Sequence, residues 1–126
     1  IMIGRKSIQA LSTCHTVEEN LEIMAEEPFS RFPLIGETLD RYLGLIYVPA
    51  VVPELESLKQ GDTDWEEVAV DTMTVPPDLP VSRLVDRFQD ERQELALVAE
   101  NGRVLGLVTA TDAFEAILGE LRDPYD

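Results

Sequence analysis

At 126 residues the chain suits one ordinary domain or two very small ones, and with 44% hydrophobic residues it can bury a core without staples. Twenty-five Asp and Glu face ten Lys and Arg; the net charge of −15 disfavours binding to nucleic-acid backbones and to anionic lipid. A single cysteine, Cys14, rules out an internal disulfide and multi-cysteine zinc sites, and a single histidine, His15, would have to carry any Ser-His or Cys-His catalysis alone.

No run approaches the ~20 apolar residues of a membrane span, so direct membrane insertion of this piece is not expected. The start, Ile1 to Lys6, lacks the apolar stretch of a signal peptide, and an opening Ile suggests a piece of a longer protein. The basic residues are eight Arg and only Lys6 and Lys59, a balance expected of a protein working in concentrated salt, where a short Debye length relieves self-repulsion.

In chain order, Thr16 with Glu19 forms a capping box, and Val17, Leu21 and Met24 follow at helical spacing. Arg31–Ile35 reads as a short buried strand, residues 36–40 as a turn, Leu43–Ile46 as a second strand, and residues 50–59 as a helix. Residues 60–64 form a polar linker, and Pro76, Pro77 and Pro80 mark an extended stretch. Val81, Val85 and Phe88 repeat the helical pattern at an offset of 64, and Leu95–Ala99 repeats the first strand. Asn101-Gly102 between apolar runs is a hairpin signal. Leu105-Gly106-Leu107-Val108 repeats Leu43-Gly44-Leu45-Ile46 at an offset of 62, and Ala113–Leu118 closes the chain as a helix.

The expected fold is therefore α+β: two βαββα units, residues 1–61 and 62–126, each near 60 residues and marginal alone, packed as a pseudo-twofold pair. Such a tandem resembles a pair of CBS domains. Ser30-Arg31-Phe32-Pro33-Leu34, Leu43-Gly44-Leu45-Ile46-Tyr47-Val48, Leu105-Gly106-Leu107-Val108-Thr109, Met2-x-x-Arg5 and the ending Ala116–Asp126 resemble the CBS pair of the CorC/cyclin-M, hemolysin-C-like family, over nearly the whole chain. The resemblance implies a regulatory module at the cytoplasmic face of the cell membrane, attached to the membrane domain of a full-length protein linked to magnesium export. It also implies binding of ATP or AMP, with Mg²⁺, and a disc-like homodimer.

The residues themselves point to Thr109-Ala110-Thr111-Asp112. A buried strand ends there and a helix begins, so free amides and the positive end of the helix dipole favour an anion. Thr109 can donate to a phosphate oxygen and Asp112 can accept from ribose hydroxyls, the work that the resemblance assigns to a Thr-x-x-Asp. The same spacing is also a helix cap, and both roles stand at this point. The first half departs from the pattern, with Tyr47 for Thr109 and Ala50 for Asp112, so one nucleotide per chain is expected. Tyr47 is expected to fill core, with contact to adenine as the other reading. The resemblance further implies Ser30 as a hydrogen-bonding partner, Arg31 as a phosphate partner and Ile8 as an apolar wall for adenine; an ion pair of Arg31 with a surface carboxylate is its competing role. Repulsion between ATP and the acidic chain predicts binding assisted by Mg²⁺ and by salt.

No nucleophile–base set supports an enzyme. The alternative function is a structural dimerisation module with empty clefts. His15 reads as a loop residue, Asp62, Asp64, Glu66 and Glu67 as a solvated face, and Trp65 as packing for the linker. Met2, Met24 and Met73 read as core filler, and residues 121–126 as a loosely ordered tail.

Overall fold

Strand β1 is Ile3–Gly4, β2 is Leu11–Ser12 and α1 is Val17–Glu26. Strands β3 (Arg31–Ile35) and β4 (Tyr42–Tyr47) follow, then α2 (Val48–Val51), a 3₁₀ turn at Val52–Glu54, α3 (Leu55–Gln60) and α4 (Trp65–Val68). The rest is β5 (Met73–Val75), α5 (Val81–Glu91), β6 (Leu95–Glu100), β7 (Arg103–Thr109) and α6 (Ala110–Arg122). The computed structural model describes residues 2–4 and 7–122; Arg5 of the N-terminal motif and residues 123–126 of the tail lie outside them. By contacts the chain divides into two compact units, Gln9–Asp71 and Thr72 onward together with the N-terminal residues through Ile8.

In the Gln9–Asp71 unit, β2 pairs in parallel with β3, and β3 pairs antiparallel with β4. Val70 extends this sheet by one antiparallel bridge to Leu45, through N···O distances of 2.7 and 2.9 Å. Gly44 permits that approach. Its φ is +154°, and a Cβ there would lie 2.9 Å from Ala69 Cβ and 3.1 Å from the Val70 carbonyl oxygen. Pro33 sits inside β3 opposite Leu45, and the hydrogen bonds to β4 run from the residues on either side of it, so its missing N–H faces away from β4. The core is Leu11, Phe32, Leu34, Ile46, Val51, Leu58 and Trp65. The expected capping box is present: Glu19 N–H donates to Thr16 Oγ1 at 3.1 Å, and Thr16 N–H donates to Glu19 Oε1 at 2.9 Å. The Thr16 backbone N–H, and then its hydroxyl, hold the Glu19 carboxyl below its ordinary range.

The helix expected over 50–59 is broken into α2, the 3₁₀ turn and α3. Pro53 withholds the amide that a continuous helix needs, so the chain restarts as a 3₁₀ turn and again as α3, whereas Pro49 lies in the first turn of α2, where proline is tolerated. Gly61, at φ 79°, ends α3 in a left-handed cap. Trp65 is 7% exposed and packs among the core of this unit, as expected; its indole N–H has no partner.

The second unit repeats the plan. β5 pairs in parallel with β6, β6 antiparallel with β7, and β1 antiparallel with β7, through Ile3↔Leu107 and Gly4↔Gly106. The β6–β7 hairpin turns on Asn101 and Gly102, both at positive φ (53° and 79°), as a type I′ turn requires. Leu84 and Phe88 bury the inner face of α5 against Met73, Val75, Ala96, Val98, Val108 and Ala113. Met73 is core filler and Met24 half-buried, whereas Met2 is 44% exposed and does not fill core: it stands one residue before the two-residue edge strand β1, which has only β7 beside it.

The acidic balance carries a first prediction. Residues such as Asp62, Asp64, Glu66 and Glu67 are all exposed, so their mutual repulsion is screened mainly by salt. We expect the thermal midpoint to rise by about 5 °C, roughly 1 kcal/mol, between 0.1 and 2 M KCl. Thermal unfolding followed by circular dichroism measures this directly, and a midpoint that is flat or falls with KCl contradicts it.

Candidate functional site

Each unit carries a place where the second strand of the hairpin passes directly into a helix. The two places have the same backbone. In one, Ala110 N–H donates to the Glu94 carbonyl at 2.9 Å; in the other, Val48 N–H donates to the Ser30 carbonyl at 2.8 Å. Both bonds are followed by a cross-strand pair, Leu95↔Thr109 in β6–β7 and Arg31↔Tyr47 in β3–β4. These are pairs without mutual backbone hydrogen bonds, where facing side chains come closest.

The side chains differ completely. At the head of α6, Thr109 Oγ1 accepts the N–H of Asp112 at 3.2 Å, so the hydroxyl caps the helix at its third residue. The cap does not exhaust the hydroxyl, whose proton remains a donor. Thr109 and Asp112 are half-buried, and Thr111 is exposed. A 13-residue helix thus presents its positive end, one hydroxyl and one carboxylate together. This arrangement suits a ligand with both phosphate and hydroxyl groups. Ile8, in the same unit, is half-buried.

At the head of α2 these features are missing. The helix has four residues, no side chain caps it, Pro49 removes an amide, and Ala50 has no carboxylate. Tyr47 is 40% exposed and does not fill core. The expectation failed because Tyr47 takes the last position of β4, on the face opposite the buried Ile46, where its ring lies under a cation. The Arg31 guanidinium carbon stands 4.6 Å from the Tyr47 ring centroid. Arg31 Nη1 also donates to Ser30 Oγ at 3.4 Å, a long contact between neighbours. Ser30, Arg31 and Tyr47 therefore form one cluster in the Gln9–Asp71 unit, and Thr109, Thr111 and Asp112 form another in the second unit.

The residues set aside from the sequence keep structural roles. His15 Nδ1 lies 3.0 Å from Asn20 Oδ1, and Cys14 is an exposed free thiol. Among the described residues no group of three or more His, Cys, Asp or Glu could hold a metal ion. Sequence reasoning missed Asn20, which is fully buried on α1. Its helical position, flanked by Glu19 and Leu21, gives no signal of the contact it makes.

The comparisons with known proteins agree with this geometry. The CBS domain family pattern matches residues 65–119. The magnesium and cobalt efflux protein CorC of Escherichia coli K12 is 33% identical over 127 residues, covering 100% of this chain and 43% of that protein. The UPF0053 protein YhdT of Bacillus subtilis is 33% identical over 133 residues, covering 28% of its length. Among solved structures, the CBS domain of a bacterial CNNM/CorC family Mg²⁺ transporter in complex with ATP superposes with a TM-score of 0.83 at 27% identity, covering 94% of this chain and 84% of that one. The CBS domain of a putative transporter from Clostridium difficile 630 gives 0.84 at 26%, covering 95% and 92%. Residues 65–119 thus carry a CBS domain, and the chain as a whole is similar to proteins of the CorC/CNNM type. It spans less than half the length of the curated relatives it matches. Among the described residues no helix is long and apolar enough to cross a membrane.

Proposed function

We propose that this chain is the regulatory module of a divalent-cation transporter of the CorC type and that it senses an adenine nucleotide, ATP or AMP, without catalysis. The observation that carries the reading is the head of α6, where Thr109 and Asp112 stand together at the end of a buried strand. Its support from relatives is the ATP complex of a similar CBS domain. Within the second unit we assign the phosphates to the amides of this junction, Thr109 and Thr111, the ribose to Asp112 and the base to the apolar side chain of Ile8; Ser30 and Arg31 are the proposed nucleotide contacts of the Gln9–Asp71 unit. The bare junction at Tyr47–Ala50 supports one nucleotide per chain. The repeat assigns one CBS unit to residues 1–61 and one to 62–126. The module then lies at the cytoplasmic face of the membrane, joined to the transporter's membrane domain.

Exposed Phe114 and Leu118, one turn apart on α6 at 51% and 43%, favour a homodimer in which this face is covered. A module that dimerises with empty clefts is the second reading, favoured by the loss of the acid at Ala50. Calorimetric titration with ATP and AMP in molar KCl, with and without Mg²⁺, separates the two. We expect one site per chain, tighter for ATP when Mg²⁺ and salt offset the acidic surface. Absence of heat and of any thermal shift with both nucleotides leaves the assembly reading.

A further inference from the structure

The Gln9–Asp71 unit carries a surface cavity of about 410 Å³ that the nucleotide reading does not use. It lies at the end of the sheet where β4 begins, away from Tyr47, where β4 ends. Thr13, on its wall, donates its N–H to the Ile35 carbonyl at 3.0 Å, and Ile35 pairs with Tyr42. Val17 and Leu58 make part of the wall apolar, and Trp65 joins them. Asp64 and Glu66, both exposed, bring two carboxylates to the same wall. Among the described residues that line it there is no Lys or Arg.

Two further polar groups of the wall stand ready for a ligand. Trp65 is 7% exposed and its indole N–H has no partner. A buried donor left so destabilises the fold, and a bound acceptor relieves that. His15 supplies the opposite function. Ser12 fixes the Asn20 amide, because its N–H meets Oδ1 at 3.1 Å and its carbonyl meets Nδ2 at 2.9 Å. His15 Nδ1 therefore faces an oxygen, at 3.0 Å, and must carry the ring proton. In the neutral ring Nε2 is left as an acceptor. We propose that this cavity binds a small hydroxylated amine in its ammonium form. The ammonium, which has only donors, gives its hydrogens to His15 Nε2 and to the Asp64 and Glu66 carboxylates. The alkyl stem packs on Val17 and Leu58, and the hydroxyl oxygen accepts from the Trp65 indole. A wall of acceptors without a fixed cation, in a chain of net −15, selects such a ligand over any anion. The site is independent of the nucleotide reading and stands if that reading falls.

Trp65 is the chain's single tryptophan, so its fluorescence reports this cavity directly. The titration is run at fixed low ionic strength and mildly alkaline pH, where an imidazole is neutral and an alkyl ammonium still charged. Three probes of one length are compared: aminobutanol, butylamine, which lacks the hydroxyl, and butanediol, which lacks the charge. Aminobutanol is expected to give a saturable change with a Kd on the order of millimolar, fitting so few atoms. Butylamine binds roughly fivefold more weakly, and butanediol gives no saturable change. Asp64→Asn together with Glu66→Gln weakens aminobutanol by about tenfold. The Asp64 side chain makes no cap to α4, so this exchange leaves the helix start intact. Should the double variant not fold, molar KCl, which screens the same carboxylates, is expected to weaken the unmodified chain by a similar factor. A response to aminobutanol that KCl reproduces at equal concentration, or that both the double exchange and molar KCl leave unchanged, overturns the proposal. Butanediol binding as tightly as aminobutanol overturns it as well, because charge then plays no part. Equal binding of butylamine removes the indole contact and overturns the hydroxylated class.

Discussion

Replacing Asp112 with alanine is expected to remove most ATP affinity while leaving the fold nearly as stable as before. The reason lies in which atoms do which work at the head of α6. The cap is made by the Asp112 backbone N–H and Thr109 Oγ1, and alanine keeps that N–H. The carboxylate adds only a favourable interaction with the helix dipole, worth about 0.3–1 kcal/mol at a surface. In ligand binding its share is larger. A charged acceptor for ribose hydroxyls contributes roughly 1.5–3 kcal/mol, which is about 10- to 100-fold in affinity. Thr109→Val separates the roles from the other side, because it removes the cap and the phosphate donor together and costs about 1 kcal/mol of stability besides. Titration calorimetry and thermal unfolding on both variants measure the two quantities. Unchanged ATP affinity in Asp112→Ala would remove Asp112 from the site.

The largest loss of stability is expected at Asn20. Strand β2 has two residues and β3 on one side only, and the Asn20 amide occupies the place where another strand would pair. Ser12 N–H donates to Asn20 Oδ1 at 3.1 Å, and Asn20 Nδ2 donates to the Ser12 carbonyl at 2.9 Å. Ser12 Oγ in turn donates to the Gly36 carbonyl at 2.7 Å and accepts from Cys14 N–H at 3.0 Å, tying the start of α1 to the end of β3. Asn20→Leu keeps the volume but leaves two buried backbone groups of Ser12 without partners. At about 1–3 kcal/mol for each group, we expect a loss near 3 kcal/mol and a fall of about 15 °C in the melting midpoint. Denaturant unfolding with an unchanged m-value measures the loss, and a change below about 1 kcal/mol would mean that the backbone finds other partners.

Both variants probe features of different legibility. The Thr16–Glu19 box, the Asn101-Gly102 hairpin and the repeat at offsets of 64 and 62 were open to a reader of the sequence, because capping, turn chemistry and periodicity act over a few residues. The Thr109-x-x-Asp112 spacing was open for the same reason, although the sequence alone left cap and ligand contact as alternatives. The broken helix after β4 lay in plain view at Pro53, yet residues 50–59 read as a single helix.

What the sequence by itself determined is thus the repeated strand–strand hairpins, the helices after Thr16 and Pro80, and the two junctions where chemistry is possible, since each depends on neighbours within one turn or one hairpin. The tertiary structure alone decided the rest. It set β1 beside β7, more than 100 residues away, and Val70 beside Leu45, because an edge strand pairs with whatever edge the fold brings near. It turned Asn20 inward to complete a sheet, which no helical spacing foretells. It also moved Tyr47 from core to surface: alternation along a strand gives only two faces, and cross-strand register chose Arg31 as the ring's partner.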